Sequence, residues 1–238
     1  MTCGPVRKIA WWEPRIEAEE PRLVAEVLES NFTNDGAVTS QFENAIAARL
    51  DVAHAVGVTS GTAALFLALK ALEISHGDEV IVPDITFVAS ANAVTMTGAR
   101  PVFVDVDPDS LNMSPEAIPA VITPNTKAIM PVHVSGRGAN MVEIMAIADA
   151  YGLRVVEDAA EAFASRVDLG YLGGVGDMGC FSFSPNKMIS CGQGGAVITD
   201  DSDLHRRLRQ LKDQGRPVRG TGGDDAHPQP RTHNRRVE

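Results

Sequence analysis

From residue 53 onward the chain alternates short β-rich runs with stretches whose apolar residues recur at helical spacing. The β-rich runs are AHAVGVT (53–59), EVIVP (79–83), PVFVDV (101–106), KAIMPV (127–132), LRVVED (153–158), MGCFSFS (178–184) and GGAVITD (194–200). Between them, Ser60 is placed to cap a helix through ALFLALKAL, Ser114-Pro115 opens another, and MVEIMAIADAYG carries an apolar stripe. DLHRRLRQLKDQG ends at a glycine suited to terminate a helix. A repeated strand-helix order is satisfied by a mostly parallel central sheet with helices on both faces, so the predicted class is α/β, a three-layer α/β/α domain.

Before residue 53 two helices, about 21–30 and 40–50, flank the polar loop NFTNDGAVTS. From Arg216 the chain reads RPVRGTGGDDAHPQPRTHNRRVE, too poor in apolar residues to offset its ordering entropy, and a loose tail is expected over 216–238. The organisation is therefore 1–52 (N-terminal helices and loop), 53–215 (main domain) and 216–238 (tail).

Composition narrows the function. The 238 residues suffice for a sizeable core, and 44% hydrophobic with 22% charged residues is ordinary for a globule. A net charge of −10 argues against nucleic acid or an acidic membrane surface as partner and favours small molecules. The N-terminal stretch has no signal-like apolar core, and no run reaches the roughly 18 apolar residues of a membrane span, so a cytoplasmic location is expected. Cys3, Cys180 and Cys191 lack CxxC spacing and are expected to be core thiols.

Three stretches carry candidate chemistry. TSGTAAL (59–65) follows a strand and opens a helix, where amide groups, the helix dipole and two hydroxyls suit a phosphate; taken alone it also fits plain helix capping. Asp158, in VVEDAAEAF, ends a strand on the edge of an α/β sheet where ligands sit, and could hold a cationic ring nitrogen or merely cap the next helix. Lys187, in FSFSPNKMIS, follows an aromatic strand and precedes CGQGGAV; a half-buried lysine loses its charge more readily, as Schiff-base chemistry requires.

Other patterns lead elsewhere. Gly174, Gly176 and Gly179 satisfy GxGxxG but precede a strand, which is the wrong context for a dinucleotide fingerprint. Asp105, Asp107, Asp109 and Glu116 have partial EF-hand spacing, yet Ser110 stands where the loop needs glycine, and no metal site is expected. His133 reads as a satisfied polar residue or a pocket wall.

The order of phosphate cradle, strand-end Asp and a Lys 29 positions later (187 − 158) resembles the nucleotide-sugar aminotransferases of the DegT/StrS family. The resemblance runs from about Trp11 to about Gly215 and is carried by SGTAALFLALKAL, GDEVIVPDITFVASANAV, PVFVDVDPDSLNM, TKAIMPVHVSG, VVEDAAEA, GDMGCFSFSPNK and GQGGAVITD. It implies the large domain of a pyridoxal 5'-phosphate (PLP) enzyme. Lys187 then matches the lysine that joins the cofactor covalently and shuttles protons, and Asp158 the acid paired with its ring nitrogen. Phe87 matches the aromatic residue stacked on the ring, although a core position suits it equally. Gly61, Thr62 and Ser182 match phosphate contacts. Glu161 stands where many members have Gln beside the cofactor's phenolic oxygen; it is either protonated or turned toward the sugar.

The resemblance further implies ping-pong transfer of an amino group, with L-glutamate as donor and a nucleotide-linked 3- or 4-keto deoxysugar as acceptor. Retention of Lys187 points to the aminotransferase branch, since related sugar dehydratases carry histidine there. A homodimer is implied, with NFTNDGAVTS reaching across its interface. Members continue into a smaller C-terminal domain that this sequence lacks. A non-catalytic remnant, or a structural partner of an intact paralogue, is therefore the alternative.

Overall fold

The computed structural model describes residue 10 and residues 12–216, so Cys3 and the tail expected over 216–238 lie almost wholly outside the described residues. Seven strands form the central sheet: β1 (His54–Val58), β2 (Glu79–Pro83), β3 (Arg100–Val104), β4 (Thr126–Ile129), β5 (Arg154–Asp158), β8 (Met178–Ser182) and β9 (Gly195–Thr199). A separate two-stranded hairpin joins β6 (Arg166–Val167) to β7 (Gly170–Tyr171). The sheet order is β1-β9-β8-β5-β4-β2-β3, and only β9 runs against its neighbours. The helices are α1 (Glu19–Glu29), α2 (Ala37–Leu50), α3 (Gly61–Ala71), α4 (Ala89–Met96), α5 (Met141–Tyr151) and α6 (Ser202–Lys212).

Strand alternation sorts the core into two layers. Val80, Val82, Val156, Met178, Cys180 and Val197 pack under α3, α4 and α6 through Leu65, Leu69, Val94, Leu204 and Leu208. On the opposite face Ile81, Ile129 and Val155 meet α5 through Met141, Ile144 and Ala148, while Phe181, Ala196 and Ile198 meet α2 through Ile46 and Leu50. The expected three-layer α/β/α architecture is what these residues build.

Several elements differ from expectation. After Ser114 the chain makes 3-10 turns at Pro115–Ala117 and Pro119–Val121, not an α-helix. Pro119 lacks the N–H that would reach back to Pro115, and its ring would clash with that carbonyl. Helix α4 was hidden in ASANAVTM, whose β-branched and small residues carry no strong helical stripe. The loop NFTNDGAVTS is shorter than expected because α2 begins at Ala37. Cys180 is a core thiol, but Cys191 is exposed.

Candidate active site

Period-two alternation assigns the site residues to faces. Val156 and Asp158 point to the α3 side of the sheet, as do Cys180 and Ser182 on neighbouring β8, with Asp158 registered opposite Cys180. The Ser60 hydroxyl caps α3 by accepting from the Ala63 amide at 3.1 Å, which leaves the Gly61 and Thr62 amides outside the helical ladder. A Cβ on Gly61 would lie 2.7 Å from the Ser182 Cβ, so only glycine lets the helix start approach β8 this closely. A Cβ on Gly195 would lie 2.5 Å from the Ser60 carbonyl oxygen. The glycines after Lys187 thus include one that packs against the protein's own helix start.

Asp158 is 5% exposed. It accepts from the Ser90 hydroxyl at 2.7 Å and the Ala160 amide at 3.2 Å, and Ser90 shares a 2.7 Å hydroxyl contact with Thr86. Burial pushes the Asp158 carboxyl above the usual carboxylate range, opposed by the Ser90 and Ala160 hydrogen bonds and by the charge of Lys187. The segment after Asp158 forms turns, so Asp158 does not cap a following helix. Ser90 escaped the sequence reading. Its only local signal was a hydroxyl within an apolar stretch, and its partner lies 68 positions away.

Lys187 sits in a tight turn whose amide donates to the Ser184 carbonyl at 3.0 Å. Its side chain is 14% exposed, and its ammonium lies 3.3 Å from Glu161 Oε1. The other Glu161 oxygen accepts from the Ser135 amide at 2.8 Å. Ser182 and Ser184 share a 3.1 Å hydroxyl contact, linking the lysine turn to the Gly61 contact. Phe87 is 75% exposed, which removes the core alternative for its ring.

Three decoys resolve into structure. The buried Glu157, on the opposite face from Asp158, accepts from the amides of Gly173 at 2.8 Å and of Val175 and Gly176 at 2.7 Å. The run containing Gly174, Gly176 and Gly179 therefore wraps an internal carboxylate. His133 is wholly buried; its Nδ1 accepts from the Ala139 amide at 3.2 Å, so Nε2 carries the proton donated to Glu157 at 2.8 Å. In the EF-hand-like run, the Asp107 carboxylate accepts from the Ser110 amide at 2.7 Å and the Asp109 amide at 3.2 Å, an Asx turn.

The donor set fits a phosphorylated pyridine aldehyde. One sheet face carries a lysine amine, a buried carboxylate lacking a cationic hydrogen-bond partner among the described residues, and a helix start opened by glycine beside a hydroxyl.

Residues 14–227 match the DegT/DnrJ/EryC1/StrS aminotransferase family. The UDP-N-acetyl-3-dehydro-alpha-D-glucosamine 3-aminotransferase of Acidithiobacillus ferrooxidans is 52% identical over 174 residues, which are 73% of this chain and 47% of that protein. The solved aminotransferase from Psychrobacter cryohalolentis superposes with a TM-score of 0.84 at 41% identity, covering 87% of this chain and 53% of that one. NtdA from Bacillus subtilis, solved with bound cofactor PMP, superposes with a TM-score of 0.76 at 36% identity, covering 82% and 45%. The chain spans about half the length of the curated relatives it matches.

Proposed function

Because the chain belongs to the DegT/DnrJ/EryC1/StrS aminotransferase family, we propose that it carries the cofactor site of a PLP-dependent aminotransferase. The reaction moves an amino group from L-glutamate to a 3- or 4-keto sugar carried on a nucleotide. The observation that carries this reading is the meeting of Lys187, Asp158 and the Gly61–Ser182 contact on one side of the sheet. The relative acting on a UDP-linked 3-dehydro sugar supports the acceptor class.

When bound, PLP supplies an aldehyde for covalent capture and a ring that accepts electron density. The chain's own residues supply the rest. Lys187 Nζ is the capturing amine and later the base and acid that moves the donor's α-proton. Asp158, oriented by Ser90, holds the ring nitrogen protonated. The Gly61 and Thr62 amides with the Ser182 hydroxyl hold the phosphate. Phe87 offers its exposed ring as a stacking platform. The enzyme works as a cytoplasmic homodimer, with residues 53–215 as the cofactor domain and the 31–40 segment at the interface. None of the helices among the described residues is long and apolar enough to cross a membrane.

The test is an absorbance titration of the purified chain with PLP, then L-glutamate, with borohydride trapping and peptide mapping. A visible band that glutamate removes, with the trapped label on Lys187, is the expected result. A label on another lysine overturns the assignment.

A further inference from the structure

The described residues place one carboxylate in contact with the lysine that the proposed chemistry needs uncharged. The Lys187 side chain is mostly buried. Glu161 Oε1 stands 3.3 Å from its Nζ as an ion-pair partner. Asp158 is the other acid whose charge Lys187 feels, but its oxygens are engaged by Ser90 and Ala160.

The aim of Glu161 is built into the backbone. Its Oε2 is fixed by the Ser135 amide at 2.8 Å, and Ser135 sits at φ 53°, in the left-handed region. The next residue, Gly136, has φ 78°, and a Cβ there would lie 3.0 Å from the Glu161 carbonyl oxygen. Two successive positive-φ residues thus curl the 133–137 turn onto Glu161 and leave its remaining oxygen to face the lysine. His133 ties the start of that turn to β5 through the Asp158 carbonyl and Glu157, whereas the Ser135 amide is spent on Glu161.

We propose that Glu161 is the resting counter-ion of Lys187 and gates cofactor capture: the pair holds Nζ as an ammonium until an aldehyde arrives. Capture needs the lone pair. The ammonium first gives a proton to Glu161 Oε1; Nζ then attacks the aldehyde carbon, a carbon–nitrogen double bond forms, and the aldehyde oxygen leaves as water. Glu161 is in this sense a positioning and charge-holding residue acting through Lys187. The inference deepens the reading above and rests on Lys187 being the capturing lysine.

The gate is tested without cofactor. The cofactor-free chain and its Glu161→Gln variant are treated briefly with acetic anhydride near pH 8, and acetylation of Lys187 is mapped against exposed Lys127 as internal standard. Loss of a contacting opposite charge that is itself half exposed is expected to raise relative Lys187 labelling about three- to tenfold. Glu161→Asp, which keeps the charge, should return labelling toward wild type. The rate of PLP capture at neutral pH, followed by absorbance, should rise by a similar factor in Glu161→Gln and converge with wild type at alkaline pH. Unchanged or slower Lys187 labelling in Glu161→Gln overturns the proposal, as does faster labelling without faster capture. If wild type captures no PLP at all, the functional reading fails, and the labelling ratio alone decides whether Glu161 holds the lysine charged.

Discussion

At the scale of single residues, Asp158 shows how a site is made at the expense of stability. Its burial raises the pKa, so between the ordinary aspartate value of 3.8 and the raised one the folded chain holds a proton that the unfolded chain has shed. Stability therefore falls as pH rises through that window and stays lower above it. Asp158→Asn removes the penalty while leaving an oxygen to accept from Ser90. The cofactor-free variant should melt higher than wild type at pH 8, with the gap closing below about pH 4. The same change should weaken PLP binding about 10- to 100-fold, the range expected when an opposite charge is withdrawn from a cationic ring nitrogen. Melting curves at both pH values and a cofactor titration check the two halves. Gly61, Asp158 and Lys187 stood out from local settings, a helix start after a strand, a strand end and a turn between two strands, whereas Ser182 entered only through the family resemblance. Ser90 was not legible, because its meaning lies in a contact with a strand far along the chain.

At the scale of elements, the end of β5 carries two adjacent carboxylates with opposite fates. Asp158 faces α3 and accepts from the Ser90 hydroxyl and the Ala160 amide, whereas Glu157 faces α5 and is closed in by three amides and the His133 ring. Glu157→Ala would strand four donors at once, the buried His133 ring and Gly173 amide and the half-buried Val175 and Gly176 amides, and release the 173–176 loop from the strand. A loss of about 3–5 kcal/mol is expected, about 1 kcal/mol for each of the four hydrogen bonds to the carboxylate that is removed. Urea unfolding checks it. A loss below about 1 kcal/mol would mean that the loop is held by other contacts. Strand positions were readable because each is a short β-rich run set between helical stretches, and all seven sheet strands fall where those runs stand. The glycine run was readable only as wrong for a dinucleotide; its real partner is a glutamate some 16 positions upstream of Gly173. The helix expected after Ser114 failed because two prolines four apart outweigh a capping signal.

At the scale of the whole molecule, charge and apolar surface oppose each other. A net charge of −10 repels one copy of the chain from another. Yet α1 buries none of its residues, and Leu23, Val24 and Leu28 line one stripe that nothing among the described residues covers. Arg22 pairs with Glu19 and Glu26 along the same helix, so the charged side of α1 is satisfied internally and the apolar stripe is what remains for contact. Replacing Leu23, Val24 and Leu28 together by Ser should cost little stability, about 0.5 kcal/mol or less at each position, because exposed side chains add little to folding. The same triple variant should lose concentration-dependent self-association, since the stripe is apolar surface that association would remove from water. Sedimentation at two protein concentrations, read beside a melting curve, separates the cases. A variant that melts far below wild type would show that the stripe is packed within the chain. Wild type that stays monomeric at both concentrations would show that the repulsion of −10 charges prevails over the stripe, and the homodimer proposed for this chain would have to rest on other surfaces.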